Sequence, residues 1–119
     1  MLGLHYASTV KIVRMADIRE SGQAAVFVGR DYGAQVSFFI TSLRHGEGPG
    51  LHRHPYEETF VVLDGAAEFT VEDEILKVDA GHIVVVPPGA AHSFKAASDG
   101  LTQQVNIHPA AEMVTEWLE

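Results

Sequence analysis

Cysteine is absent from this 119-residue sequence. Disulfide bonds are therefore excluded, and so are thiolate metal ligands and cysteine nucleophiles. Basic residues are also few, since 8 lysines and arginines stand against 16 acidic residues and give a formal net charge of −8. Because no cluster of basic residues stands out, the sequence predicts neither a nucleic-acid partner nor binding to an anionic membrane surface.

Long hydrophobic runs are missing as well. No run approaches the roughly 20 apolar residues that a membrane-spanning helix needs. Residues 1–10 also lack the basic start and the apolar stretch of a signal peptide, so we predict a cytoplasmic protein. Hydrophobic residues still make up 46% of the sequence, which is enough for a core, and the length predicts one domain over residues 1–119.

Short apolar segments recur along the chain at intervals of roughly 8–12 residues, with glycine, proline and aspartate between them. The predicted strands are 9–15, 23–28, 35–43, 58–63, 66–71, 75–78, 83–86, 92–95 and 101–107. A helical turn is predicted at 15–20, and the tail 109–119 fits either a short helix or an extended segment. This spacing indicates an all-β protein built as an antiparallel sandwich or barrel.

The side chains with the clearest chemistry lie between Gly46 and Gly65. His52 and His54 are two residues apart and Glu58 keeps the same parity, so in an extended chain all three point to one side. Two neutral imidazoles and a carboxylate suit a divalent ion of manganese, iron, cobalt, nickel or zinc. The segment therefore predicts part of a metal site.

Glu57 has the opposite parity to Glu58. We predict that Glu57 lies at the surface or the rim of the site. The alternative is that the strand begins one residue out of this register, in which case the two glutamates exchange roles.

A second segment, residues 81–92, carries a fourth candidate. The β-branched run 83–86 is predicted as a buried strand, and Pro87-Pro88-Gly89 follows it as a turn. Such a turn could direct His92 back toward the space that the first two histidines and Glu58 share.

Together the two segments resemble the sequence motifs of the cupin superfamily. The first motif, G(X)5HXH(X)3–4E(X)6G, is matched over residues 46–65 by Gly46, His52, His54, Glu58 and Gly65. The second motif, G(X)5PXG(X)2H(X)3N, is matched over residues 81–96 by Gly81, Pro87, Gly89 and His92, with Ala96 in place of the final asparagine. That asparagine is not a metal ligand in the family, so the difference concerns a local turn or a neighbouring contact.

The resemblance implies a single cupin domain, an antiparallel jelly-roll barrel also called a double-stranded β-helix, with one divalent transition metal inside. It implies His52, His54, Glu58 and His92 as the metal ligands and the four motif glycines as turn residues. It also implies a homodimer, as is common among small members. The predicted lining of the barrel is drawn from Phe38, Ile40, Phe60, Val62, Phe69 and Phe94.

Three imidazoles and one carboxylate leave about two positions open on an octahedral ion. The predicted function is therefore a metal-dependent enzyme of the dioxygenase, isomerase or decarboxylase type that acts on a small organic molecule. The alternative is a module that binds a metal and a small molecule without turnover. Candidate catalytic residues are Glu57, Asn106 and His108; the last two alternate with Gln104 on one face of a predicted strand that lies toward either the interior or solvent.

Overall fold

The computed structural model describes residues 10–119, and the regular secondary structure of this part of the chain is almost entirely β-strand. Its strands are β1 (Ala24–Phe27), β2 (Ser37–Leu43), β3 (His52–Arg53), β4 (Glu58–Asp64), β5 (Ala66–Val71), β6 (Glu74–Asp79), β7 (His82–Val86), β8 (His92–Ala96), β9 (Thr102–His108) and β10 (Glu116–Trp117). Two 3-10 turns, Met15–Ile18 and Gly29–Tyr32, complete the regular structure.

The strands form two five-stranded antiparallel sheets. The first has the order β1-β2-β9-β4-β7 and the second the order β10-β3-β8-β5-β6. Side chains from both sheets pack between them, where Phe60 lies 5.0 Å from Phe69 and 5.4 Å from Phe94 between ring centres. This arrangement confirms the predicted all-β jelly-roll fold.

The motif glycines occupy the backbone conformation that the resemblance implied. Gly46, Gly65, Gly81 and Gly89 all have positive φ, between 75° and 88°. At Gly65, between β4 and β5, a Cβ atom would also lie 2.7 Å from the carbonyl oxygen of Leu101, so only glycine fits. Ala96 needs no asparagine side chain for its local contacts, because its backbone bonds to Gly46 (2.8 Å) and Glu47 (2.9 Å).

Of the six candidates for the lining, the two on β2 do not face the interior. Phe38 and Ile40 lie on the outer face, where the Phe38 ring stacks on Phe27 at 4.7 Å. The residues that alternate with Phe38 and Ile40 along β2 face the interior. Because β2 pairs with β9, each of them lies opposite a β9 residue that points to the same face. The inward pairs are Ser37 with His108, Phe39 with Asn106, and Thr41 with Gln104.

The run 83–86 is also not the buried strand that we predicted. It belongs to β7, an edge strand, and the side chains of Ile83 and Val85 are 66% and 62% exposed. They share the outer face of the first sheet with Val61, Val105 and Ile107. An apolar outer face of this kind is compatible with packing against a second copy, and the homodimer stays a prediction.

The start of the described chain differs from the prediction, and the tail adopts the extended form, one of the two that the sequence allowed. Residues 10–14 form no strand, and Thr9 of the predicted strand 9–15 lies outside the described residues. The tail is extended and adds β10 to the second sheet. Within residues 10–119, no helix has both the length and the apolar character needed to cross a membrane.

Candidate metal centre

Four of the predicted site residues converge between the two sheets. His52, His54, Glu58 and His92 place one ligand atom each within 4.8 Å of one another, and all four side chains are buried. Ligands about 2.0–2.3 Å from a common ion lie at most about 4.6 Å apart, so the cluster has nearly the dimensions of a metal site. The site comes from three strands, because His52 of β3 lies opposite His92 of β8 and Glu58 begins β4.

The backbone orients the three imidazoles in the same way. Nδ1 of His52 donates to the carbonyl of Gly50 (2.7 Å), and Nδ1 of His92 donates to that of Ala90 (2.9 Å). Nδ1 of His54 donates to the carbonyl of Val114 at 2.8 Å. Each neutral ring then carries its proton on Nδ1 and presents the Nε2 lone pair, the form that binds a metal.

The inner atoms of the cluster are all electron-rich. Oε1 of Glu58 lies 2.9 Å from Nε2 of His54 and 3.1 Å from Nε2 of His92. Nε2 of His54 is buried and makes no aligned hydrogen bond within the described chain, in spite of its short distance to the carboxylate. Lone pairs and a carboxylate at such distances repel one another unless a proton or a metal ion lies among them. The donor set therefore fits a divalent transition metal.

The pKa values of Glu58, His54 and His52 show how burial and neighbouring charges act on the cluster. Burial alone would raise the pKa of Glu58, but contacts with His108, His54 and His92 outweigh burial and hold this pKa well below its usual range. Burial would lower the pKa of His54, but Glu58 and the carbonyl of Val114 reverse that effect and raise it. For His52 the pKa is lowered, chiefly by burial. The site thus keeps a charged carboxylate, which favours a positive charge next to His54.

The last strand brings further polar groups to the interior. Gln104, Asn106 and His108 are all buried, so this face of β9 points inward. Nε2 of His108 lies 3.1 Å from Oε2 of Glu58, and its ring centre lies 4.6 Å from that of His54. Glu57, in contrast, is exposed. The structure therefore brings His108 to the cluster and places Glu57 at the surface.

Sequence reasoning missed Tyr56. Its hydroxyl lies 2.7 Å from Nδ1 of His108 and accepts a hydrogen bond from the backbone N–H of Val114 at 3.0 Å. The parity of Tyr56, which matches that of His54 and Glu58, was the one available signal. Its partners could not be read from the sequence, because they lie 52 and 58 residues away.

A cavity of about 320 Å³ opens beside the cluster. It reaches the site at His52 and Asn106, and the rings of Phe39, Phe94 and Trp117 form much of its wall. The remaining lining is Ser21, Gln23, Ala24, Thr41, Leu43, Gly48, Pro49 and Thr115. Within the described chain, no carboxylate, lysine or arginine side chain lines the cavity, which therefore suits a mostly apolar molecule.

The C-terminal segment, residues 114–118, closes one side of the site. β10 pairs with β3 and places Trp117 opposite His52, with 4.9 Å between their ring centres. Leu118 donates its N–H to the carbonyl of Leu51 (2.9 Å), and Glu116 bonds to the exposed Arg53 at 2.7 Å. The tail is thus attached to β3, which carries His52 and directly precedes His54.

Comparison with known proteins gives a consistent family assignment. The model of the cupin domain family matches residues 39–113, more than half of the chain. An uncharacterized protein of Streptomyces coelicolor is 32% identical over 74 residues, which cover 62% of this chain and 70% of that protein.

Solved structures share the fold at low sequence identity. An uncharacterized protein with a double-stranded β-helix domain from Klebsiella pneumoniae superposes with a TM-score of 0.73 at 17% sequence identity. The match covers 92% of this chain and 98% of the Klebsiella chain. Oxalate decarboxylase of Bacillus subtilis, described with Mn(II) centres, gives a TM-score of 0.76 at 19% identity. That match covers 88% of this chain but only 31% of the decarboxylase. At these identities the likeness establishes the fold.

Proposed function

The chain belongs to the cupin superfamily, and from that premise we propose that it is a divalent-metal-dependent enzyme acting on a small organic molecule. His52, His54, Glu58 and His92 would hold the metal. The observation that carries the proposal is the convergence of three Nε2 lone pairs and one carboxylate beside an apolar cavity. A structural metal alone would not need such a cavity next to its ligands.

The metal would supply Lewis acidity and about two open positions for an oxygen of the bound molecule. The chain contributes the orientation of the ligands through the carbonyls of Gly50, Ala90 and Val114. It also contributes an apolar wall against which the bound molecule can pack. Asn106 lines the cavity, and because its Oδ1 accepts a hydrogen bond from Gln104 (3.0 Å), its amide N–H groups can donate to a ligand.

The charge balance narrows the substrate class. A divalent ion and the Glu58 carboxylate leave one net positive charge, while the cavity lining within the described chain is uncharged. A monoanion with an apolar body, such as an enolate or a phenolate, would neutralise this charge without a further cation. A dicarboxylate would leave a negative charge against an apolar wall.

The first experiment tests the metal. Adding Mn, Co, Ni or Zn to metal-stripped protein should raise its melting temperature, because an ion that binds only the folded chain adds about 2.7 kcal/mol at a hundredfold excess over Kd. His54→Ala should abolish the increase. An equal increase in that variant would mean that the ions bind elsewhere and would contradict the proposed site.

The second experiment tests catalysis. Protein loaded with each metal would be incubated with a panel of enols and hydroxylated aromatic compounds, while oxygen uptake and product masses are followed. We expect turnover of at least one compound by the loaded protein and none by His92→Ala. Tight binding of a compound without turnover would instead support a binding module.

A further inference from the structure

The two oxygens of the Glu58 carboxylate face different partners. Oε1 lies among the cluster, within 3.1 Å of Nε2 of both His54 and His92. Oε2 lies 3.1 Å from Nε2 of His108. One oxygen is therefore available to a metal while the other meets a fourth imidazole.

His108 differs from the three clustered histidines in what its Nδ1 meets. The clustered rings donate Nδ1–H to backbone carbonyls, which can only accept. Nδ1 of His108 meets the hydroxyl of Tyr56, which can donate. The Tyr56 oxygen already accepts from the N–H of Val114, so its own proton is free to point at His108.

This contact selects the tautomer of His108. If Nδ1 accepts from Tyr56, Nε2 carries a hydrogen and faces the Glu58 oxygen favourably. In the other tautomer a lone pair would face a carboxylate in a buried site, which is costly. Nε2 of His108 makes no aligned hydrogen bond within the described chain, but it lies 3.1 Å from Oε2 and both side chains are almost fully buried.

We propose that Tyr56 and His108 are positioning residues that hold Oε2 of Glu58 and thereby present Oε1 to the metal. This inference rests on the proposed metal site. His108 does not act as a fifth ligand, because it lies outside the group whose ligand atoms are all within 4.8 Å of one another. Tyr56 is well held for this role, since its ring stacks on His54 with 5.3 Å between centres and an angle of 2° between planes.

The main test compares two replacements of His108. A glutamine amide reaches about as far as Nε2 and can still donate to Glu58, whereas the shorter asparagine reaches only about as far as Nδ1. Loss of a group that orients a metal ligand typically reduces affinity by about 10–100-fold. We therefore expect His108→Asn to bind Co(II) or Zn at least about tenfold more weakly in a competition assay, and His108→Gln to stay close to wild type.

Tyr56→Phe supplies a second route if a His108 variant fails to fold. It removes one hydroxyl and keeps the ring on His54, and we expect a similar loss of affinity. Because Tyr56 acts through His108, Tyr56→Phe should cause little further loss in the His108→Asn background. The visible spectrum of bound Co(II) should also change in both single variants, since it reports the coordination of Glu58 and not the stability of the fold.

The results of these experiments distinguish a failure of this inference from a failure of the proposed metal site. If wild type binds one metal per chain and Tyr56→Phe and His108→Asn bind it equally well with unchanged Co(II) spectra, the positioning role is wrong while the site stands. Additive losses in the double variant would likewise contradict a role of Tyr56 through His108. If wild type binds no metal, the proposed function and this inference both fail.

Discussion

Glu57 and Glu58 are adjacent and chemically identical, yet they occupy opposite environments. Glu58 is buried within hydrogen-bond distance of three imidazoles, whereas Glu57 is exposed. Replacing Glu58 by an uncharged amide would leave three neutral imidazoles to hold a dication in a poorly screened site. The carboxylate of Glu57 is hydrated and contributes little to the potential at the cluster.

We therefore predict that Glu58→Gln lowers the metal content of the reloaded protein sharply and that Glu57→Gln leaves it near the wild-type value. Elemental analysis of the two variants, prepared side by side, makes the comparison. The reverse ranking would mean that the strand begins one residue away from the register described here.

At the level of single residues, the sequence predicts what depends on local spacing. The spacing of His52, His54 and Glu58 and the turn before His92 identified the four candidates, although the chain between His54 and Glu58 crosses from the second sheet to the first. The contacts of His108 and Tyr56 do not follow, because they depend on β9 lying beside β4. From parity alone, the face of β9 that carries His108 could point either to the interior or to solvent, and only the pairing of the strands shows that it points inward.

The C-terminal segment is the element most closely tied to the cluster. The carbonyl of Val114 accepts a hydrogen bond from Nδ1 of His54, and the N–H of Val114 donates one to the hydroxyl of Tyr56. Oγ1 of Thr115 lies 3.3 Å from the same Nδ1. Removing residues 114–119 would free His54 to rotate or to change tautomer. We predict that this truncation weakens metal binding by about tenfold or more.

A shorter truncation provides the matched control. Removing residues 116–119 deletes β10 and its exposed ion pair to Arg53 but keeps Val114 and Thr115. Calorimetric titration should show a smaller loss for this variant than for the longer truncation. Equal affinities in both truncated proteins and wild type would show that the tail does not orient His54.

At the level of elements, strand boundaries were predictable where turn residues mark them. β5 was predicted with its observed limits, and β4 and β6 within one residue, because Asp64-Gly65, Glu72-Asp73-Glu74 and Ala80-Gly81 punctuate the chain. For β2 the sequence did not indicate which face is buried, and β7 was wrongly predicted to be a buried strand. Both carry apolar residues on two sides, so hydrophobicity does not indicate which side meets the core.

At the scale of the whole molecule, the cluster lies where the two sheets meet. Glu58 and His108 belong to the first sheet, while His52 and His92 belong to the second. Next to the cluster the sheets are joined by apolar packing, and the ring of Phe60 lies 6.1 Å from that of His92. A bound ion would therefore link the two sheets and stabilise the molecule as a unit, which explains why metal binding should raise the melting temperature.

The central claim is that one metal ion binds at the junction of the two sheets, and anomalous diffraction tests it most directly. Crystals of protein reloaded with Zn or Co would be measured on both sides of the absorption edge of the metal. We predict one anomalous peak per chain, about 2.0–2.3 Å from Nε2 of His52, His54 and His92 and from one oxygen of Glu58. The absence of this peak from reloaded crystals, or a His92 side chain turned away from the other three residues, would contradict the account.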